Sequence, residues 1–167
     1  WSLFNEPETT SEYAKDYFTK VFEAARTLDP QNRPLTGAFE KNSAPDKCRC
    51  YQLCDFICLN RYYGWYISGG AEMEEAEVKF RAEMDKWAAK KLNVPFVFTE
   101  FGTDTLATEH KLPAIMWSQE YQNEYLAMNF SVFDSYDFVQ GELVWNFADF
   151  QTSEGVMRVN GNKKGIF

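Results

Sequence analysis

Two glutamates stand where paired carboxylates could carry out acid–base and nucleophilic chemistry. Glu6 lies between Asn5 and Pro7, and Glu100 follows an apolar run and precedes Phe101-Gly102. Two carboxyl groups that face each other across a sugar cleave its glycosidic bond when one is protonated and the other ionised. A separation of about 5 to 5.5 Å between them gives a covalent intermediate and retention of configuration. A glutamate at a strand end also commonly caps a helix or contacts water, so the context of each residue decides its meaning.

Short apolar strands alternate with longer stretches of helical period along the chain. The strands are predicted at residues 1–5, 34–39, 56–62, 96–100 and 138–147. Such alternation is typical of parallel strand–helix units. A doubly wound sheet would carry a glycine-rich phosphate loop after an early strand, and this sequence has none. Because polar residues follow the strands instead, we predict an α/β fold of the (β/α)8 TIM-barrel type, whose site lies at the carboxyl ends of the strands.

Three helices are predicted between the strands. A cap at Thr9 or Ser11 begins the first helix. Its apolar face comprises Tyr13, Tyr17, Val21, Ala25 and Leu28. The second helix carries the stripe Met73, Ala76, Phe80, Met84 and Trp87. The third covers residues 117–133 with the stripe Tyr121, Tyr125, Met128 and Val132. Each stripe is the face that we expect to be buried.

Five strands are too few to close a (β/α)8 barrel. We therefore interpret residues 1–167 as one partial domain that covers about strands 4 to 8 and lacks the first strands. The opening on Trp1, with no methionine, fits a piece of a longer protein. Part of the sugar pocket would then be absent, so we expect little or no turnover from the isolated segment.

The composition excludes several classes of protein. The chain has 167 residues, of which 45% are apolar, and a formal net charge of −8. This apolar content is enough to bury a core, which excludes a disordered chain. The negative charge argues against nucleic acid and against an anionic membrane surface as partners. No apolar run approaches the roughly 20 residues that a membrane-spanning helix needs.

Four cysteines lie close together in the sequence, at Cys48, Cys50, Cys54 and Cys58. Their spacing differs from the paired C-x2-C knuckles of zinc sites. Two of them fall in an apolar, strand-like run, where a free cysteine behaves as a small hydrophobic residue. We therefore predict no metal site and reduced thiols, which are typical of a reducing compartment.

Five motifs together resemble a known family of hydrolases. They are Trp1-Ser2-Leu3-Phe4-Asn5-Glu6-Pro7, Asn60-Arg61-Tyr62-Tyr63-Gly64-Trp65-Tyr66, Thr99-Glu100-Phe101-Gly102, Trp145-Asn146-Phe147-Ala148-Asp149-Phe150 and Asn162-Lys163-Lys164-Gly165. In this order they resemble the β-glucuronidases of glycoside hydrolase family 2 over essentially the whole chain. The last two motifs are the most specific, because they separate these enzymes from the β-galactosidases of the same family.

The resemblance implies a role for the residues around the two carboxylates. It implies that Glu6 is the general acid/base and Glu100 the nucleophile of a hydrolase that cleaves β-D-glucuronides by double displacement. Asn5 is similar to the asparagine that hydrogen-bonds the sugar 2-hydroxyl, and Tyr62 to the tyrosine beside the nucleophile. Phe101 departs from the family, which usually has tyrosine there, so one hydroxyl is lost while the ring is kept.

The resemblance also implies a substrate-binding set. Residues that match the lining of the sugar pocket are Asn60, Tyr66, Trp145 and Arg158. Asn162 and Lys164 match the Asn-x-Lys pair that reads the substrate carboxylate. The charges support this pair independently, because residues 158–164 contain three cations and no acid within a protein of net negative charge. A charge-assisted pair with a carboxylate contributes about 1.5 to 3 kcal/mol.

The same resemblance implies a substrate, an oligomeric state and a cellular location. It implies a small-molecule or glycan β-glucuronide as substrate, no metal and no organic cofactor. It also implies a homo-oligomer for the full-length protein and further β domains upstream of this segment. A bacterial-type resemblance and the reduced cysteines together predict a cytoplasmic location.

Three alternatives stay open. The chain could come from a β-galactosidase, although Asn162 and Lys164 argue against it. A β-galacturonidase also reads a carboxylate and is harder to separate. The third alternative is a truncated, non-catalytic segment with no activity in isolation.

Overall fold

The computed structural model describes residues 1–167 and contains five strands and three α-helices. In chain order these are β1 (Ser2–Asn5), α1 (Ala14–Leu28), β2 (Thr36–Phe39), β3 (Ile57–Asn60), α2 (Met73–Ala89), β4 (Phe96–Glu100), α3 (Gln119–Phe133) and β5 (Val139–Glu142). Two short 3-10 turns, Tyr51–Leu53 and Gly70–Glu72, lie in the connections. None of the helices has the length and hydrophobicity that crossing a bilayer requires.

The five strands form one sheet in the order β1-β2-β3-β4-β5. The pairs β1–β2, β2–β3 and β4–β5 are parallel. Successive strands that pair side by side in parallel are the arrangement of consecutive strands in a (β/α)8 barrel. The observed sheet therefore agrees with the predicted barrel fragment.

The chain divides into two compact units. The first unit contains Trp1–Arg61, Glu83–Thr99 and Phe138–Glu142. The second unit contains Tyr62–Ala82, Glu100–Asp137 and Leu143–Phe167. The division falls within β4, so that Glu100, its last residue, belongs to the second unit.

The prediction for α1 is wrong in both its cap and its buried face. The helix begins at Ala14 after Tyr13, without a side-chain cap, and the Thr9 hydroxyl hydrogen-bonds Ser43 instead. The buried residues are Ala14, Phe18 and Phe22, whereas Tyr13, Tyr17 and Leu28 are exposed. The sheet side chain Phe4 determines this choice, because its ring lies 4.8 Å from Phe18 and 6.2 Å from Phe22.

The apolar stripes predicted for α2 and α3 are confirmed for all but one of their residues. In α2, the four residues from Ala76 to Trp87 in the stripe are buried, and Met73 at its start is half-buried. In α3, the whole predicted stripe is buried. Ser118 caps α3, because its hydroxyl accepts a hydrogen bond from the backbone of Tyr121 at 3.2 Å.

The last strand is shorter than predicted. It ends at Glu142 rather than at residue 147, and Leu143 and Phe147 are exposed. Beyond it, the Trp145 N–H donates to the Phe101 carbonyl at 2.9 Å, and the Asn146 N–H donates to the Lys164 carbonyl at 3.0 Å. The backbone therefore turns to bond the loop that carries Lys164 instead of extending the sheet.

The four cysteines are buried and free. Burial raises the pKa of the Cys50 and Cys54 thiols to about 12. A thiol that stays protonated at neutral pH is a poor nucleophile and a poor metal ligand, so these side chains act as core residues.

Candidate active site

Glu6 follows β1 in an unusual backbone conformation. Its φ is +53°, in the left-handed region that a residue before proline seldom adopts. The pairing of β1 with β2 is irregular between Ser2 and Asn5, and the Glu6 N–H donates to the Ala38 carbonyl at 2.9 Å. Such strain costs on the order of 1 to 3 kcal/mol and is concentrated at functional sites. The strand end therefore holds an exposed carboxylate in a fixed and costly position.

Asn60, the last residue of β3, organises this part of the first unit. Its amide nitrogen donates to Asn5 Oδ1 at 3.0 Å and to Glu6 Oε1 at 2.9 Å. Its amide oxygen accepts a hydrogen bond of 2.6 Å from the Thr99 hydroxyl. Because both amide hydrogens are engaged, Asn60 is suited to orient Asn5 and Glu6 rather than to donate to a ligand.

A buried ion pair, Arg61–Glu83, lies next to the end of β3 and holds it in place. Arg61 is fully buried, and its guanidinium contacts Glu83 with Nη2 to Oε1 at 2.7 Å. The same guanidinium donates to the Phe39 and Asn60 carbonyls at 2.8 and 2.9 Å. The Trp87 indole N–H donates to Glu83 at 3.1 Å. Since the carbonyl of Asn60 itself is bonded, this network fixes the residue that contacts Glu6.

The second carboxylate has its own partner within the second unit. The Tyr62 hydroxyl donates to Glu100 Oε2 at 2.8 Å. Burial, and next the negative charge of Glu100, raise the pKa of the Tyr62 hydroxyl well above its usual range. Tyr62 therefore stays a donor at any pH of interest, and it stabilises the ionised form of Glu100.

The residues after Glu100 are tightly packed. Phe101 is fully buried, with its ring 5.7 Å from Phe130 and 4.9 Å from Phe133. Gly102 leaves no room for a side chain, because a Cβ there would collide with the Trp145 carbonyl oxygen. The Phe101 ring thus occupies an apolar cluster.

A buried lysine forms the centre of the basic segment. Lys164 is 1% exposed, and its ammonium pairs with the carboxylate of Asp104, which is also 1% exposed. The Lys164 N–H donates to the side-chain oxygen of Asn162 at 2.9 Å. Asn162 therefore shapes the loop around Lys164. Residues 158–164 contain no acid of their own, but Asp104 reaches their cations from 60 positions away in the sequence.

Aromatic rings surround the Lys164 ammonium. Its Nζ lies 5.0 Å from the ring centre of Tyr66, 5.3 Å from Trp65 and 6.0 Å from Tyr62. Arg158 Nη2 donates to the Tyr66 hydroxyl at 2.6 Å. Ring faces attract cations within about 6 Å. The second unit thus concentrates two cations among aromatic rings, an arrangement suited to bind an anionic group.

Trp145 is half-buried beyond β5. Its ring meets Phe150 edge to face, with 5.9 Å between ring centres. The indole is therefore partly available to a ligand and partly used in packing.

Sequence reasoning missed three contributors to the site, namely Asp104, Thr99 and the Arg61–Glu83 pair. Thr99 and Asp104 both flank Glu100 closely in the sequence. Asp104 could have been found from its place after the strand 96–100, because it is a carboxylate among the small residues Gly102, Thr103 and Thr105.

A sheet in which successive strands lie side by side in parallel, with polar residues after the strands, is the arrangement of an α/β-barrel domain. The chain belongs to the family described as glycosyl hydrolases family 2, TIM barrel domain, whose profile matches residues 1–167. This membership confirms the predicted family and the predicted barrel fold.

Relatives and solved structures agree with this family. A β-glucuronidase of Paenibacillus borealis is 46% identical over 100% of this chain and 27% of its own length. The human β-glucuronidase is 40% identical, with 100% of this chain and 25% of its own length covered. The structure of a β-glucuronidase from Ruminococcus gnavus in complex with uronic deoxynojirimycin matches with a TM-score of 0.99 and 75% identity, over 100% of this chain and 29% of that one. This chain thus spans about a quarter of the length of the curated relatives it matches.

Proposed function

We propose that this chain is part of the catalytic domain of an enzyme that hydrolyses β-D-glucuronides with retention of configuration. Glu6 is the general acid/base and Glu100 the nucleophile. The relatives named above are β-glucuronidases, and one was solved with a uronic-acid analogue of a sugar. Residues 1–167 are then a partial barrel domain of a longer enzyme.

One observation carries the proposal. Tyr62 donates its hydroxyl to Glu100 at 2.8 Å, while its ring centre lies 6.0 Å from the Lys164 ammonium. A glucuronide carries its carboxylate on the carbon next to the ring oxygen, and its anomeric carbon lies on the other side of that oxygen. Glu100 and Lys164, which both contact Tyr62, are therefore placed to act on the anomeric carbon and on the carboxylate of a uronic acid, respectively.

The reaction has two displacement steps. In the first, Glu6 gives its proton to the glycosidic oxygen while Glu100 attacks the anomeric carbon, so the aglycone leaves and a glycosyl ester forms. In the second, the Glu6 carboxylate takes a proton from water, whose oxygen attacks the same carbon and releases Glu100. Asn60 orients the Glu6 carboxyl group through its 2.9 Å hydrogen bond in both steps.

The other site residues serve substrate binding. Asn5 hydrogen-bonds the sugar 2-hydroxyl, a contact that strengthens as charge develops in the transition state. Lys164 and Arg158 bind the carboxylate, with Asn162 shaping the loop between them. Tyr66 and Trp145 line the pocket with partly exposed rings.

Azide rescue in the intact protein tests the two roles. Glu100→Gly and Glu6→Ala should each lower kcat/KM for an aryl β-D-glucuronide by at least about 10²-fold. Azide should restore turnover in both, with an α-glycosyl azide as product from Glu100→Gly and a β-glycosyl azide from Glu6→Ala. Glu8→Gln is the matched control, because Glu8 is an exposed neighbour of Glu6 that bonds only local backbone and hydroxyl groups. The same anomer from both variants would contradict the assignment.

Lys164 and Arg158, which bind the substrate carboxylate, do not by themselves distinguish a glucuronide from a galacturonide, because these sugars differ only in the configuration of the 4-hydroxyl. Parallel assays with aryl β-D-glucuronide, galacturonide and galactoside therefore separate the proposal from its two related alternatives. Preference for the galacturonide would assign the same chemistry to the other uronic acid, and preference for the galactoside would refute the carboxylate-binding role of Lys164.

A further inference from the structure

Asp104 contacts every cationic residue of the basic segment. One of its oxygens accepts the Lys163 backbone N–H at 2.8 Å. The other pairs with the Lys164 ammonium and lies 3.6 Å from Arg158 Nη1. A single buried carboxylate thus touches both side chains that are suited to bind an anion.

The position of Asp104 is rigidly fixed. It is 1% exposed, and residues 101–105 around it are all buried. The next residue, Thr105, donates its N–H to the Lys163 carbonyl at 2.8 Å. The backbones on both sides are joined in this way, and the carboxylate cannot turn away from Lys164 without breaking its hydrogen bonds to the Lys163 N–H and the Lys164 ammonium.

The charges of this cluster leave room for one more anion. Lys164 and Arg158 contribute two positive charges and Asp104 one negative charge, so these three side chains together carry a net charge of +1. Lys163 does not change this count, because its ammonium pairs with Asp149 at 3.3 Å. A ligand with a single carboxylate neutralises the cluster, whereas a neutral sugar of the same shape leaves the charge unbalanced.

We infer that Asp104 is a specificity-determining positioning residue, which holds the Lys164 ammonium where it binds the carboxylate of the substrate. This inference rests on the proposed function. Asp104 acts through Lys164 and has no contact with the reacting atoms. Without it, a buried ammonium lacks its partner and has no fixed place among the rings of Tyr66 and Trp65.

A substrate pair tests the inference in the intact protein. For Asp104→Asn, kcat/KM for an aryl β-D-glucuronide should fall by about 10- to 100-fold, mainly through KM. The value for the matching β-D-glucoside should stay within about threefold. Asp149→Asn is the matched control, because Asp149 holds the same segment through Gly165 and Lys163 without contact to Lys164. This control should keep the ratio between the two substrates.

A double-mutant cycle separates positioning from a general structural role. If Asp104 acts through Lys164, then adding Asp104→Asn to Lys164→Gln should cause no further loss of glucuronide selectivity. The double variant leaves neither charge of the pair buried without its partner. If Asp104→Asn alone fails to fold, the comparison of the double variant with Lys164→Gln therefore still tests the inference.

Three results would overturn the inference. They are an equal loss on both substrates, additive effects in the cycle, and tighter glucuronide binding in Asp104→Asn, which would make the aspartate a competitor of the substrate. Failure of the proposed function is distinguishable, since the unmodified protein would then show no preference for the glucuronide over the glucoside.

Discussion

Replacing Tyr62 by phenylalanine removes one hydroxyl and keeps the ring. That hydroxyl donates to Glu100 Oε2 at 2.8 Å, and the ring lies 4.9 Å from Tyr66. The variant therefore preserves packing while it deletes the donor to the carboxylate that we propose as nucleophile. Because the raised pKa of Tyr62 keeps the hydroxyl protonated, the lost interaction is a neutral donor to an ionised acceptor.

The magnitude follows from the type of hydrogen bond. A bond to a charged acceptor contributes about 1.5 to 3 kcal/mol, which corresponds to roughly a 10- to 150-fold lower kcat/KM. Losing a donor to the ionised form of Glu100 also makes that form harder to maintain. The acidic limb of the pH–rate curve should therefore move to higher pH.

Both effects are measured by the pH dependence of kcat/KM on an aryl β-D-glucuronide with the intact protein. Tyr66→Phe is the matched control, because its hydroxyl bonds Arg158 rather than Glu100. This control should change the binding of the carboxylate and leave the acidic limb in place. An unshifted acidic limb in Tyr62→Phe would refute the reasoning that this hydroxyl stabilises the ionised nucleophile.

Two further predictions concern the support of the first unit. Glu83→Gln leaves the fully buried Arg61 without its counter-ion, so unfolding should become easier by about 3 to 5 kcal/mol. Thermal unfolding measures this loss of stability. The control is Glu77→Gln, in a partly exposed ion pair of the same helix, which should lower the free energy of unfolding by only about 0 to 1 kcal/mol. Similar melting temperatures for the two variants would contradict the argument. Thr99→Val removes the 2.6 Å hydrogen bond to Asn60 and should lower kcat about 5- to 10-fold with little change in KM. Thr99→Ser keeps a hydroxyl and should retain most of the activity, so equal losses in both variants would point to packing instead.

Local periodicity was sufficient where a helix has one apolar face and insufficient where it has two. In α2 the stripe that runs through Phe80 and Met84 is the single apolar face, and its burial was predicted. In α1, Tyr17 and Phe18 belong to two neighbouring stripes that both carry apolar or aromatic residues. Only the packing of Phe18 against Phe4 determines which stripe is buried, and the exposed tyrosine keeps its hydroxyl in water.

The sequence by itself located the five strands and the ends of β1, β2 and β4, because alternation and helical period are local properties of a chain, but it did not locate the ends of β3 and β5. It therefore indicated Glu6, Glu100 and the basic residues around Lys164 as candidates for one hydrolytic site. Tertiary structure alone decided their partners. Asn60 contacts Glu6 across 54 positions and Asp104 contacts Lys164 across 60, and no local pattern encodes which distant side chains the folded loops bring within hydrogen-bonding distance.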